Sequence, residues 1–311
     1  MNDGNMNKSN RYVDLQVNGY AGVDFNSDGL TAEDMHQACE AIRDSGVEGI
    51  LATIITDKID VMSTRLTRLN ELREADPLVR EIVWGIHIEG PFINPEPGYV
   101  GAHPSDAVCP ANVEDTKKLL EAAGGLTRMV TLAPEFDEAM RTTQFLADTG
   151  IRVSAGHCNP SLDQLRAALD AGLTMFTHLG NGCPATVNRH DNIIQRALSL
   201  ADRLTVCWIA DGIHVPFTAL SNYLRCVGIE RCLVVSDAIS ATGLGPGHYQ
   251  LAGHEVVVDE NLVTCMDGDT SHLAGSATSL PQMAVKLREQ LGLTDEQVQT
   301  LCCDNPRQVA E

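Results

Sequence analysis

The sequence predicts an α/β fold, a (β/α)₈ barrel, on three observations. Eight short segments rich in Val, Ile, Leu and Thr recur along the 311 residues. Helical stretches separate these segments, so the strands should pair in parallel through right-handed crossovers. Polar side chains capable of catalysis follow most of the segments, as at the C-terminal face of such a barrel. An open doubly wound sheet is the alternative, but its ligand-binding residues would gather at one switch point.

The eight predicted strands are short, apolar runs of the kind that a parallel sheet buries on both faces. They cover residues 13–17, 49–55, 83–88, 128–133, 152–155, 174–177, 204–209 and 232–236. Helices are predicted between and after them, at 32–45, 61–75, 113–123, 138–149, 161–171, 192–200, 217–227, 279–291 and 295–303. Several of these helices are followed by glycine, as at Gly46, Gly150 and Gly172, which is the preferred residue after a helix.

One domain accounts for this pattern, because a barrel of eight units uses the whole length of the chain. Residues 1–10 are polar and are predicted to form a disordered tail. Residues 11–311 are predicted to form the single barrel. The segment 249–265 alternates between apolar and polar residues, so we expect a hairpin inserted after the eighth strand.

The charge and the cysteines limit the partners and the compartment. The 22 basic and 42 acidic side chains give a net charge of −20, which argues against nucleic acid and anionic membranes as partners. No apolar run approaches the roughly 20 residues that cross a bilayer, and residues 1–10 lack the apolar core of a signal peptide. The ten cysteines are scattered without a Cys-x-x-Cys pair, which favours a reducing compartment, and we expect the cytoplasm.

Four polar residues at the ends of predicted strands suggest chemistry. Glu89, His157 and His178 offer one carboxylate and two imidazoles, a set that suits a divalent metal with open coordination positions. His157 and His178 are one βα unit apart and should project from adjacent strands. Any one of the three alone could be a buried or loop residue, but the set favours a metal site. Asp237, after the eighth strand, could carry a proton, although it could also cap a helix. The sequence therefore indicates a metal-assisted hydrolase.

Nine short motifs appear in an order that resembles a known family. They are VDLQVNG (13–19), HIEGPF (87–92), GAH (101–103), AGH (155–157), THL (177–179), ADGIH (210–214), VSDA (235–238), LAGS (273–276) and DNP (304–306). From about residue 11 to residue 306 the chain resembles the N-acetylglucosamine-6-phosphate deacetylases of the amidohydrolase superfamily. The resemblance implies a TIM-like barrel, a divalent metal and hydrolysis of the acetamido group of a phosphorylated amino sugar.

The resemblance also implies roles for individual residues. His103 would contact the amide carbonyl of the substrate as a catalytic residue, and Asn181 with Gly182 would contact the sugar. Arg189 and His214 match positions that contact the phosphate, for which the donor fork of arginine is well suited. The alternatives are an exposed loop histidine for His103 and a solvated loop cation for Arg189. The family tends to form dimers in which a neighbouring subunit completes the phosphate site, so a homodimer is possible.

Gln16 and Asn18 occupy the place where many amidohydrolases have a His-x-His motif. Amides are poor ligands for zinc beside imidazole and carboxylate. The sequence therefore predicts one divalent metal per chain, with Zn²⁺ expected and Fe²⁺ or another transition metal also compatible. Gln16 and Asn18 would order water near this metal.

The chain departs from the family in three places. The family usually carries a small β-sandwich built from sequence on both sides of the barrel, and here almost no sequence remains to form it, so we expect it to be absent or vestigial. Asn181-Gly182-Cys183 replaces the usual Asn-Ala-Met, and residues 188–192 replace the usual His-Arg-Glu-Pro-Gly, with Arg189 retained. The last two changes concern the sugar-binding loops and leave the predicted metal ligands in place.

The prediction that these features favour is metal-dependent deacetylation of N-acetylglucosamine-6-phosphate or a closely related N-acetyl amino sugar, with release of acetate. An amidohydrolase acting on a different acylamino compound or a cyclic amide is the first alternative. A catalytically silent barrel used for binding is the second, and the presence of all four polar residues argues against it.

Overall fold

The structure, a computed structural model, describes residues 12–311, and the predicted tail at residues 1–10 lies outside the described residues. Its largest sheet contains eight parallel strands in chain order, which confirms the predicted barrel. These strands are β1 (Tyr12–Val17), β4 (Val47–Ile55), β5 (Val83–Glu89), β6 (Thr127–Leu132), β7 (Arg152–Ala155), β8 (Leu173–Phe176), β9 (Thr205–Ile209) and β10 (Cys232–Val235). Two short strands that lie between β1 and β4 in the sequence, β2 (Gly19–Tyr20) and β3 (Val23–Asp24), pair with each other in a separate sheet.

The first and last barrel strands meet through a few contacts rather than through a continuous ladder. Val17 forms an isolated parallel bridge with Ala238, and the backbone N–H of Asn18 donates to the backbone carbonyl of Ala238 at 2.7 Å. Deeper in the barrel, the backbone N–H of Ser236 donates to Oδ1 of Asp14 at 3.0 Å. A carboxylate therefore takes the place of a backbone acceptor at this junction.

Eleven α-helices lie among the described residues, most of them in the connections between barrel strands. They are α1 (Ala32–Asp44), α2 (Ile59–Ala75), α3 (Pro77–Ile82), α4 (Val113–Ala122), α5 (Arg141–Asp148), α6 (Leu162–Asp170), α7 (Ile193–Leu198), α8 (Phe217–Val227), α9 (Leu280–Leu291), α10 (Asp295–Gln299) and α11 (Asn305–Ala310). Capping boxes at Thr31 and Ser161 satisfy backbone N–H groups at the start of α1 and α6. Their buried faces pack with the strands into one continuous apolar core.

Two helices differ from the sequence-based expectation for local reasons. The helix predicted at 138–149 begins only at Arg141, because Ala139 and Met140 adopt left-handed backbone conformations (φ 53° and 55°). The helix predicted at 295–303 is interrupted by a π-helical turn, Thr300–Asp304, before α11. Neither change alters the order of the barrel strands.

A second sheet follows β10 and contributes to the cavity described below. It has four antiparallel strands, β11 (Gly247–Leu251), β12 (His254–Val258), β13 (Thr264–Met266) and β14 (Asp269–Leu273). The hairpin expected at 249–265 corresponds to the first part of this sheet, which continues to Leu273. Apolar side chains of the sheet, including Leu251 and Val256, pack against Ile55 and Ile239 at the end of the barrel.

None of the helices described between residues 12 and 311 has the length and apolar character that crossing a membrane requires.

Candidate metal and active site

Three side chains that could bind a metal ion converge at the carboxyl ends of neighbouring barrel strands. Glu89 is the last residue of β5, and His157 and His178 each lie two residues beyond the ends of β7 and β8. One ligand atom from each residue lies within 4.8 Å of the others, and all three residues are buried. Among the side chains that the structure describes, at residues 12–268 and 272–311, this is the one group of three or more metal-ligating side chains brought together.

The Nε2 atoms of the two histidines face the same oxygen of Glu89. Nδ1 of His157 lies 2.8 Å from the carbonyl oxygen of Tyr99, which can only accept, so Nδ1 carries a proton and Nε2 is the ring atom that can bind a metal ion. This Nε2 lies 3.4 Å from Oε1 of Glu89, and Nε2 of His178 lies 2.8 Å from the same oxygen. Two ring nitrogens and one carboxylate oxygen in so small a volume fit a divalent ion such as Zn²⁺.

The ionisation of Glu89 also suits a metal ligand. Burial raises the pKa of its carboxyl group, but hydrogen bonds to His157 and His178 outweigh burial and hold this pKa well below its usual value. Burial lowers the pKa of His178, and the hydrogen bond with Glu89 more than offsets it. Glu89 is therefore an anion at neutral pH, as binding to a cation requires.

Three of the predicted residues share an unusual backbone conformation. His157, His178 and Asp237 have φ values of 49°, 30° and 52°, in the left-handed region that non-glycine residues rarely occupy. Such a conformation costs on the order of 1–3 kcal/mol per residue and persists only where the surroundings impose it. Strain of this kind concentrates at functional sites, and here it occurs just beyond the ends of three barrel strands.

Gln16 and Asn18, on and just after β1, hold the carboxylates of the site. Nε2 of Gln16 donates to Oε2 of Glu89 and to Oδ1 of Asp237, both at 3.0 Å. Nδ2 of Asn18 donates to the same oxygen of Asp237 at 2.7 Å. Their amide oxygens are buried and have no hydrogen-bond partner among the described residues, so they could accept from water. The water-ordering role stays a prediction.

Asp237 lies two residues beyond the end of β10 and lines the cavity. Burial, together with the negative charge of Glu89, raises the pKa of its carboxyl group to about 6. A carboxylate of this basicity, held in place by the amides of Gln16 and Asn18, is suited to accept and return a proton near neutral pH.

Two further predicted histidines line the same cavity. Nδ1 of His103 lies 2.7 Å from Oγ1 of Thr56, and its ring centroid lies 4.4 Å from that of His157. Burial and the nearby His157 lower the pKa of His103, so this imidazole is neutral. His214 is oriented by Asp211, because its Nδ1 lies 2.6 Å from Oδ2 of that carboxylate.

Asn181 and Gly182 also line the cavity, which has a volume of about 520 Å³. Gly182 has a φ of 63°, and a Cβ atom at this position would lie 2.8 Å from Nδ1 of His157. Glycine is therefore the residue that allows this loop to lie against the predicted metal ligand.

Arg189 is a predicted site residue that the structure does not bring to the cavity. Its side chain is exposed, and it does not contribute to the cavity wall. Among residues 12–311, no arginine or lysine lines the cavity at all. An anionic group of a substrate would find histidines and amides there, but no lysine or arginine from the described residues.

Sequence reasoning missed several residues that complete the site. His272 and Leu273 in β14 and Leu251 in β11 form one wall of the cavity. The LAGS motif at 273–276, which begins at Leu273 and directly follows His272, was the available signal for these two residues. The contact of His157 with Tyr99 joins residues 58 positions apart. No spacing pattern in the chain indicates that contact.

Comparisons with known proteins place the chain in one family. No protein-family profile matched the chain. An N-acetylglucosamine-6-phosphate deacetylase of Bacillus subtilis (strain 168) is 32% identical over 279 residues, covering 89% of this chain and 68% of that protein. An N-acetylgalactosamine-6-phosphate deacetylase of Escherichia coli O157:H7 is 30% identical over 286 residues, covering 91% and 72%.

A solved structure is similar over nearly the whole chain. It is that of a mutant N-acetyl-D-glucosamine-6-phosphate deacetylase from Mycobacterium smegmatis in complex with N-acetyl-D-glucosamine-6-phosphate. The TM-score is 0.87 at 28% identity, and the match covers 96% of this chain and 77% of that one. With its fold, its buried Glu-His-His group and its 32% identity to the Bacillus enzyme, this chain belongs to the N-acetylglucosamine-6-phosphate deacetylase family of the amidohydrolase superfamily.

Proposed function

We propose that this protein deacetylates N-acetylglucosamine-6-phosphate or a closely related N-acetyl amino-sugar phosphate, releasing acetate and the free amino sugar. The observation that carries the proposal is the convergence of Glu89, His157 and His178 beside Asp237, with Gln16 joining the two carboxylates. Relatives named for this reaction on N-acetylglucosamine-6-phosphate and on N-acetylgalactosamine-6-phosphate support the substrate class. The ten cysteines are all free, which fits the expected cytoplasmic location.

The proposed cofactor is one divalent metal ion per chain, with Zn²⁺ favoured by the donor set and Fe²⁺ also compatible. When bound by Glu89, His157 and His178, such an ion would polarise the amide carbonyl and lower the pKa of water. The Tyr99 carbonyl keeps the His157 imidazole in the tautomer that this requires.

The residues around this centre move the proton and orient the amide. Asp237 accepts a proton from the attacking water and returns it to the departing amine. Gln16 and Asn18 hold the carboxylate of Asp237 in position during both transfers. Nδ1 of His103 lies 2.7 Å from the Thr56 hydroxyl oxygen, which orients the ring. The proposal assigns to His103 the tautomer that carries its proton on Nε2, so that Nε2–H donates to the oxygen on which negative charge develops.

The sugar phosphate would lie in the cavity between the barrel and the small sheet. Asn181 and Gly182 would contact the sugar, and His214, oriented by Asp211, would contact the phosphate. Because Arg189 is exposed and lies outside the cavity of its own chain, we propose that it serves a homodimer, in which the partner subunit's Arg189 reaches the phosphate.

One observation favours a second candidate function. No arginine or lysine of the described residues lines the cavity, which would suit an uncharged N-acetyl amino sugar or another neutral acylamino compound. In that case the metal ligands and Asp237 keep the roles given above, and only the group that positions the amide differs.

A panel assay on metal-loaded protein distinguishes the candidates. Acetate release is measured with N-acetylglucosamine, N-acetylgalactosamine and the 6-phosphates of both. The proposal predicts the highest kcat/KM on a 6-phosphate. A preference for the unphosphorylated sugars would replace it with the second candidate. No turnover of any of the four would contradict the proposed function and exclude these two amino sugars for the second candidate.

A further inference from the structure

Glu135 lies outside the mechanism above, yet it links two loops that carry proposed metal ligands. It follows β6, the strand between β5 and β7 in the barrel. Its Oε1 accepts a hydrogen bond from Nδ2 of Asn94 at 3.0 Å and a second, short one from the backbone N–H of Asn159. Asn94 lies five residues after Glu89, and Asn159 lies two residues after His157.

The two loops are also joined directly. The backbone N–H of Asn94 donates to the carbonyl of His157 at 2.9 Å. The loop that carries His157 has a further contact, because Nη1 of Arg196 donates to Oδ1 of Asn159 at 3.0 Å. Because His157 has a left-handed backbone, its conformation must be imposed by such surrounding contacts.

We propose that Glu135 is a positioning residue that fixes His157 relative to Glu89 through its bonds to Asn94 and Asn159. This inference rests on the proposed metal centre. Ligands of a metal ion must be held within a few tenths of an ångström, and residues that orient them commonly affect metal affinity by about 10–100-fold. Glu135 would act on two ligands at once, since it lies between their loops.

One oxygen of Glu135 is sufficient for this role. Oε1 accepts both hydrogen bonds, whereas Oε2 is buried and has no hydrogen-bond partner among the described residues. Both donors are neutral N–H groups, so neither hydrogen bond requires a negative charge on Glu135. A glutamine presents the same acceptor oxygen without the charge and should therefore substitute for Glu135.

The test measures zinc affinity, by competition with a chromogenic chelator, for the wild type and three variants. Glu135→Ala should bind Zn²⁺ about 10–100-fold more weakly, whereas Glu135→Gln should remain within about 3-fold of the wild type. Asp137→Ala is the matched control. Asp137 is a buried carboxylate on the same loop that accepts bonds from Thr142 and Thr143 at the start of α5. Asp137→Ala removes these hydrogen bonds and should lower the Tm of the protein without changing its zinc affinity.

The outcomes separate this inference from the proposed function. A folded Glu135→Ala protein with wild-type zinc affinity, or a Glu135→Gln protein as weak as the alanine variant, would overturn the inference and leave the metal centre intact. A wild-type protein that binds no divalent metal would instead contradict the proposed centre. If Glu135→Ala does not fold, the zinc affinity of Asn94→Ala tests the inference instead, because this variant removes one of the two hydrogen bonds that Glu135 accepts. Weaker zinc binding by that variant supports the inference, and unchanged binding overturns it.

Discussion

The side-chain amide of Gln16 donates a hydrogen bond of 3.0 Å to Oδ1 of Asp237, and the same nitrogen lies 3.0 Å from Oε2 of Glu89. Gln16 thus connects the proposed proton carrier to a proposed metal ligand. Two buried carboxylates at close range repel each other, and the amide between them reduces this repulsion by donating to both. Asp237 keeps a fixed orientation toward the metal centre because of this bridge.

Replacing Gln16 by glutamate should disrupt the site without changing its shape. Gln16→Glu removes both donated hydrogen bonds and places a third carboxylate beside Glu89 and Asp237. A hydrogen bond to a charged group contributes about 1.5–3 kcal/mol, so we expect kcat/KM to fall by at least about 10-fold. Steady-state acetate release at pH 7.5 checks this, with far-UV circular dichroism as the control for folding. A variant as active as the wild type would show that the bridge has no function.

The metal content should be one tightly bound ion per chain. Where a second ion would need imidazoles, the chain has Gln16 and Asn18, whose nitrogens point to carboxylates rather than presenting lone pairs. Elemental analysis of protein loaded with Zn²⁺ and then dialysed should give one equivalent. Two retained equivalents would contradict this expectation.

Asp237 and His157 should respond differently to substitution. Asp237→Asn should retain the metal, because Asp237 does not belong to the Glu89, His157 and His178 group, while kcat falls by a factor on the order of 10²–10⁴. His157→Ala should lose both metal and activity. Measuring zinc content and kcat on the same preparations tests the assignment, and near-normal turnover by Asp237→Asn would exclude proton transfer by this residue.

Asp14 should make the stability of the fold depend on pH. Burial raises its pKa to about 7 from a usual 3.8. The folded protein therefore holds a proton that the unfolded chain has already lost, and the free energy of unfolding should fall as the pH rises from about 4 to about 7. The shift corresponds to a loss on the order of 4 kcal/mol above pH 7.

Asp14→Asn keeps an acceptor for the backbone N–H of Ser236 and removes the charge. Its free energy of unfolding should be close to that of the wild type at pH 5 and clearly higher at pH 8. Urea denaturation of both proteins at these two pH values measures the difference. Parallel pH profiles for the two proteins would mean that Asp14 is not the group responsible.

The barrel could be predicted because each parallel strand is buried on both faces and so forms an apolar run of its own. The position of Glu89, His157, His178 and Asp237 followed from the same pattern, since barrel strands bring their carboxyl ends together. Those residues converge because each lies at or just beyond the end of a barrel strand, and the ends of the apolar runs are visible in the sequence.

Other features depend on contacts that no local pattern displays. Helix α3 follows α2 after a single residue, Asp76, whose side chain caps it, whereas the sequence predicts only one helix here, at 61–75. The bonds from Glu135 to Asn94 and Asn159 join residues 41 and 24 positions away. Hydrogen bonds between residues so far apart in the sequence arise from three-dimensional packing. The exposed position of Arg189 likewise depends on packing rather than on a local sequence pattern.

The last prediction concerns Arg189, which the resemblance assigns to the phosphate and the structure leaves exposed outside its own cavity. If the partner subunit's Arg189 completes the phosphate site, Arg189→Ala should reduce kcat/KM on the phosphorylated sugar by an amount equivalent to roughly 2–4 kcal/mol. Turnover of the unphosphorylated sugar should barely change, because the metal ligands and Asp237 remain. His190→Ala, an exposed neighbour on the same loop, is the matched control and should affect neither substrate.

The contribution of Arg189 should also depend on assembly. Analytical ultracentrifugation of the wild type should show a dimer at the concentrations at which the sugar phosphate is preferred, since the described residues of a monomer place no lysine or arginine on its own cavity wall. An equal loss on both substrates would make Arg189 a structural residue. A monomer that still prefers the phosphorylated sugar would contradict the proposed role across the dimer and leave the histidines and amides of the cavity as the phosphate contacts.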